Sequence, residues 1–189
     1  MSIMPDLQFI FMDFCKRFDG KLVWAERGKA WTNVILDFFG EEAAKHKCRC
    51  QREYMTLDMV WWSEYSDILL ALEHEIQERA PPDLLESEIR HLIDIKAQRK
   101  VGIFYPSEGD ERSLIENAII AWLQGHRLKV AQFPEQYMFV MGRPTTKFGR
   151  RAILFRRYLF DGFGTQLLPP QEFTLKQADR GITSIAPPG

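Results

Sequence analysis

The sequence predicts an α/β fold with a mixed central sheet flanked by helices, on three observations. Short segments rich in aromatic and β-branched residues alternate with stretches of helical periodicity. Two of the strand-like segments, 54–62 and 68–76, are separated only by the polar turn Ser63–Asp67, which makes them antiparallel neighbours. The second is followed by an amphipathic helix and then a short apolar strand, a step that requires a right-handed parallel crossover.

The elements follow in order. Leu7–Phe18 is apolar on more than one face, as in a buried helix, and Asp19-Gly20 ends it. A second helix is predicted over 31–47, with Thr32 or Asn33 as its N-cap and Gly40 interrupting its pattern. Tyr54–Trp62, YMTLDMVWW, reads as a strand. Ile68–Ile76, ILLALEHEI, fits helix or strand by periodicity, and its short connection favours a buried strand. After Pro81-Pro82, Asp83 and Glu86 form a variant capping box. Leu85, Ile89, Leu92 and Ile93 then stripe a helix to about Ala97. KVGIFY, 100–105, is a short buried strand, and a helix over 112–123 is closed by Gly125. Two strands, 136–141 and 152–160, flank a basic loop over 142–151, and the stretch from Pro169 reads as irregular.

Length and composition fit one domain over 1–189, with 46% hydrophobic residues to build its core. The net charge of −1 argues against a broad nucleic-acid-coating surface but leaves room for a local basic cleft. The apolar N-terminus lacks a basic leader and a small-residue cleavage site, and no apolar run approaches the roughly 18 residues of a membrane helix. The expectation is a cytoplasmic protein without membrane contact. Cys15, Cys48 and Cys50 form no disulfide framework, and Cys48-Arg49-Cys50 is too closely spaced for an ordinary zinc site.

The chemistry concentrates in carboxylates. Strand residues two apart share a face, so Glu73 and Glu75 point the same way about 7 Å apart, with His74 opposite. A hairpin register that sets Asp58 beside Glu73 would gather three acids on one face. Carboxylates gathered and buried without partners are costly, and a divalent cation relieves that cost. Oxygen donors suit Mg²⁺ or Mn²⁺, and such an ion serves phosphodiester hydrolysis. The alternative is that these acids are solvated on a half-exposed strand. The apolar run Leu69–Leu72 before Glu73 favours a strand covered on both faces.

This arrangement resembles the PD-(D/E)XK nuclease superfamily, the restriction-endonuclease-like fold, over roughly residues 30–105. That family's core runs helix, three strands, helix, strand, with an acid on the second strand and an acidic-x-Lys motif on the third. Asp58 matches the first acid, Glu73 the second, and Glu75 stands where the lysine usually is. The resemblance implies a Mg²⁺- or Mn²⁺-dependent endonuclease, with Asp58 and Glu73 as metal ligands. Glu75 would be a further ligand or would position the attacking water, as in active relatives acidic at that position. Loss of the lysine also marks inactive relatives, which leaves a nucleic-acid- or protein-binding module of the same fold as the alternative. Lys96, on the helix stripe with Ile89 and Leu92, is the candidate for a displaced catalytic lysine. Glu53 precedes Asp58 by an odd number, which on one unbroken strand would put it on the other face. The implied partner is nucleic acid, DNA above all, and many enzymes of this fold act as homodimers. Residues 106–168 form an extension beyond this core and 169–189 an irregular tail.

Arg143, Lys147, Arg150 and Arg151 cluster in the basic loop around Gly142, Pro144 and Gly149, and are the candidate nucleic-acid contacts. A solvated hairpin whose charges discourage edge aggregation is the competing reading. Asp161-Gly162-Phe163-Gly164 resembles a kinase magnesium tripeptide without the other kinase motifs and reads as a turn.

Overall fold

In the computed structural model every described strand belongs to one seven-stranded sheet whose spatial order is the chain order. The structure describes residues 6–26, 28–77, 80–107, 109–126 and 135–178. The strands are β1 Arg49–Tyr54, β2 Leu57–Trp62, β3 Ile68–His74, β4 Arg99–Phe104, β5 Gln136–Lys147, β6 Arg150–Asp161 and β7 Gln166–Lys176. β1, β2 and β3 form an antiparallel meander; β3, β4 and β5 are parallel; β5, β6 and β7 are antiparallel again. This is the predicted α/β class with a mixed sheet.

Helices cover both faces. α1, Leu7–Phe18, and α2, Lys29–Lys45, pack on one face, where Phe14, Phe18 and Phe38 meet Met59, Leu72 and Val101. α3 runs through three consecutive pieces, Pro81–Leu84, Leu85–Ile89 and Arg90–Asp94, and α4 likewise through Asp110–Ser113, Leu114–Ile119 and Ile120–His126. They cover the other face over Val60, Ala71, Phe104 and Phe139. The middle piece of each is a wide π-type turn, in which the Arg90 N–H reaches back to the Leu85 carbonyl. No described helix is long and apolar enough to cross a membrane.

Several boundaries depart from expectation. The predicted strand 54–62 is broken by a two-residue turn at Met55-Thr56, with Tyr54 opposite Leu57. Met55 takes a left-handed φ of 56° there, a conformation signalled in sequence by Asn or Gly, which this turn lacks. Gly40 sits inside an unbroken α2, and α3 stops at Asp94, short of Ala97. The basic loop is nearly all strand, because β5 and β6 pair up to Lys147 and Arg150 and leave only Phe148-Gly149 as the turn. The segment from Pro169 is not irregular: it continues β7 to Lys176. β7 is an edge strand, which tolerates Pro169 and Pro170 because one side of its backbone needs no partner. Residues 179–189 of the predicted tail lie outside the described residues. Asp161 does close a turn, its Oδ1 accepting the N–H groups of Phe163 and Thr165.

Candidate carboxylate site

Asp58 is the second residue of β2, and Glu73 is next to last in β3. The pairs Met59↔Leu72 and Val60↔Ala71 continue by one step to set Asp58 level with Glu73. Val60 and Ala71 lie in the core beneath α3 and α4, so by alternation Asp58 and Glu73 point under α3. The structure thus brings these two predicted acids together on the helix-covered face. The His74 N–H donates to Asp58 Oδ2 at 2.7 Å, which ties the start of β2 to the end of β3.

Glu73 is 5% exposed, and its Oε2 has no hydrogen-bond partner among the described residues. Burial, then the charge of Asp58, then a hydrogen bond to Glu88 push its carboxyl up to about 10. Burial also raises Asp58. The His74 N–H opposes that shift, and the charges of Glu88, Glu75 and Glu53 add to it. Acids crowded in a desolvated place hold on to protons, and two carboxyls can hydrogen-bond only with a proton between them.

Glu88 is the residue that sequence reading missed. It lies in the wide turn of α3, three residues after Leu85 and next to Ile89. A carboxylate bordering an apolar stripe was the available signal. The odd spacing that puts Glu53 on the face opposite Asp58 holds only for one unbroken strand. With the turn at Met55-Thr56, Glu53 lies on β1 beside Asp58, near enough for its charge to act there. Glu75 lies one residue past β3. Its N–H donates to the Ile103 carbonyl, and its Oε1 accepts from the Gln77 N–H at 2.8 Å. Its charge reaches Asp58 while its side chain also organises the loop out of β3.

Lys96 does not join this group. α3 ends before it, and it lines a cavity of about 270 Å³ with Trp62, Ile68, Gln98 and Glu135 at the start of β3. Ile68 is five residues from Glu73, roughly 16 Å of strand, beyond the reach of a lysine side chain. Lys100 shares the carboxylate face two positions before Gly102, the partner of Glu73 in β4. It is fully buried, and its Nζ donates to the Ile93 carbonyl (2.8 Å), Glu135 Oε2 (2.9 Å) and Tyr137 OH (2.8 Å).

On the β5–β6 hairpin, Lys147 pairs with Arg150 and Arg151 with Thr146. Alternation from Phe139 and Met141 places Arg143, Lys147 and Arg150 on the carboxylate face and Arg151 on the opposite one. β4 stops opposite Met141, so the hairpin extends beyond it as an arm with one open edge.

No protein-family model matches this chain, and no curated protein sequence does. Among solved structures it is similar to the YaeQ protein from Xanthomonas axonopodis pv. citri. The identity is 10%, over 78% of this chain and 81% of that one, with a TM-score of 0.27. At that TM-score the likeness carries no weight.

As they stand, no three His, Cys, Asp or Glu side chains among the described residues are spaced to grip a metal ion. The donor chemistry nevertheless suits a hard divalent cation. The converging groups are all carboxylates, and Glu73 Oε2 is a buried oxygen without a hydrogen-bond partner among the described residues.

Proposed function

We propose that this protein is a metal-dependent nuclease-like hydrolase of phosphodiester bonds in nucleic acid, built on a restriction-endonuclease-like core. The observation that carries the reading is the buried Asp58–Glu73 pair on adjacent strands, with an unsatisfied Glu73 oxygen and Glu88 bonded above it. The element order also supports it. β1 supplies the third strand before the crossover helix, so that α2, β1, β2, β3, α3 and β4 follow the family's helix, three strands, helix, strand, with Asp58 on the second strand and Glu73 on the third.

Asp58 and Glu73 would hold Mg²⁺ or Mn²⁺, with Glu75 as a further ligand or as the group that orients the attacking water. Such an ion, when bound, stabilises charge on a phosphoryl oxygen and acidifies a water. Glu73 would release its proton to solvent on becoming a ligand. Arg143, Lys147 and Arg150 would hold the phosphate backbone of DNA against this face, and Arg151, on the other face, would contribute less.

A second reading, a binding module of the same fold without catalysis, is favoured by Glu75 at the lysine position and by the placement of Lys96 and Lys100. The discriminating experiment incubates labelled single- and double-stranded DNA with Mg²⁺ and with Mn²⁺. Wild type is compared with Asp58→Asn and Glu73→Gln. Metal-dependent cleavage should fall by more than about 100-fold in either variant, since even residues that only orient metal ligands cost about 10–100-fold. Binding without cleavage under both metals would select the module.

A further inference from the structure

The β5–β6 hairpin ends in a bare ribbon whose tip carries Phe148, the most exposed large apolar side chain among the described residues. β4 stops opposite Met141, and β7 pairs with β6 only from Ala152 onward. Among the described residues, 146–151 therefore have no strand neighbour on either edge of the hairpin. Thr145 faces Ala152, and Phe148 lies three residues beyond it, a projection of roughly 10 Å against a groove depth of about 8 Å in duplex DNA. Phe148 and Gly149 make the turn, with φ of 51° and 72°. Positive φ at both positions is what a type I′ turn requires, and Asn-Gly meets that requirement with least strain. A left-handed backbone crowds the Cβ of Phe148 against a carbonyl, and its ring, 95% exposed, gains no burial in the folded chain. Neither the turn nor the core accounts for an aromatic residue at this position. The charge around it has one sign. Residues 143–151 hold Arg143, Lys147, Arg150 and Arg151 and no acid, and none of the four joins an ion pair among the described residues. Lys147 and Arg150 lie on one face of the ribbon and Arg151 on the other. A ribbon seated in a groove meets phosphates on both sides, which charge on both faces fits.

We propose that the hairpin tip enters a groove of duplex DNA and inserts Phe148 between adjacent base pairs, with the flanking basic side chains on the phosphates of either wall. The proposal rests on nucleic acid being the substrate, and it specifies the double-stranded form. An inserted apolar side chain unstacks a base step and kinks the duplex. A two-stranded ribbon fits a B-form groove, whereas the major groove of A-form RNA is too narrow for it. Lys147 and Arg150 share the carboxylate face, so the held duplex lies on the side of Asp58 and Glu73. Anionic lipid is the other polyanion that a basic tip could meet. A single ring is a small apolar anchor for a bilayer, and Arg151 faces away from Lys147 and Arg150, so DNA fits better.

The test is fluorescence anisotropy of the full chain, in metal-free buffer, with a matched duplex, the same duplex carrying one central mismatch, and the single strand. 2-Aminopurine beside the mismatch reports unstacking. Wild type is compared with Phe148→Asn, which keeps every charge and suits the turn, and with the double substitution Lys147→Glu, Arg150→Glu. A mismatched step is already partly unstacked, so wild type should bind that duplex at least about fivefold more tightly than the matched one and brighten the 2-aminopurine. Phe148→Asn should bind the two duplexes equally, without brightening, and should melt no lower than wild type. The charge variant should bind both duplexes more weakly. Equal affinity of wild type for the two duplexes, or discrimination that survives in Phe148→Asn, overturns the wedge, while weaker binding by the charge variant would still uphold the nucleic-acid reading. A lower melting temperature in Phe148→Asn would assign the ring to the fold and overturn the wedge as well. A preference for the single strand that Phe148→Asn loses would replace the wedge with a stacking platform. Binding to phosphatidylserine vesicles without binding to DNA would replace DNA with lipid. Binding to neither overturns the arm as an interaction surface, and cleavage with Mg²⁺ or Mn²⁺ then judges the hydrolase reading by itself.

Discussion

Glu73 and His74 are adjacent residues that face opposite sides of the sheet, and burial pushes their proton equilibria in opposite directions. The Glu73 carboxyl is raised from the ordinary range near 4.5 to about 10, chiefly by burial. Between those values the folded chain holds a proton that the unfolded chain releases, so stability falls as pH rises through that window. His74 Nε2 is bonded to Tyr105 OH at 3.0 Å, and burial lowers the ring from 6.5 to about 3. Between 3 and 6.5 the unfolded chain binds the extra proton, and stability rises with pH. From 4.5 to 6.5 the two slopes oppose each other, and above 6.5 that of Glu73 remains. Metal-free wild type should therefore lose stability from pH 7 to 9, with a contribution of at most about 1.4 kcal/mol per unit from this group. Glu73→Gln should remove most of that loss, as measured by urea unfolding across pH. An unchanged slope in the variant would move the effect elsewhere. Asp58 and Glu73 were legible because strand alternation and a short turn are local rules. Glu88 was not, because whether a helix carboxylate meets a strand carboxylate depends on how α3 lies across the sheet.

At the scale of elements, the β5–β6 hairpin and the Lys100 network carry separate predictions. The hairpin presents Lys147 and Arg150 side by side on the carboxylate face. Replacing both with Glu should weaken DNA binding and lower its salt dependence by about two phosphate contacts, leaving Mn²⁺ binding intact in calorimetry. Equal salt slopes for wild type and variant would dismiss the arm as a contact. Lys100→Met strands the Glu135 carboxyl and the Tyr137 hydroxyl, which share a 2.5 Å hydrogen bond, and should cost about 3–5 kcal/mol of unfolding free energy. Replacing Glu135 with Leu in the same chain should recover part of that loss. The hairpin residues were visible as a charge cluster, but their strand conformation was hidden by Pro144 and two glycines, which usually mark loops. Pro144 is accommodated because β5 has no β4 neighbour beyond Met141. Lys100 gave no sign of its network, since Glu135 meets it across 35 residues of chain.

For the whole molecule, the mixed α/β order was readable because apolar runs, turn residues and one crossover suffice to identify strands 2 to 6 and α3. The edges were not. β1 was merged with β2 across a turn without glycine, and β7 was hidden by adjacent prolines at a sheet edge. The missing β1 matters for function, since it sets Glu53 beside Asp58 and completes the three-strand meander on which the nuclease-like reading depends. The central claim is that the meander and α3 hold carboxylates for a divalent ion. Its most direct test is calorimetric titration of wild type and Glu73→Ala with Mn²⁺, in two buffers of different ionisation enthalpy. The account predicts saturable binding by wild type with buffer-dependent heat, from the proton leaving the Glu73–Glu88 pair, and no binding by the variant. Equal binding by both proteins, or binding by neither, would contradict it.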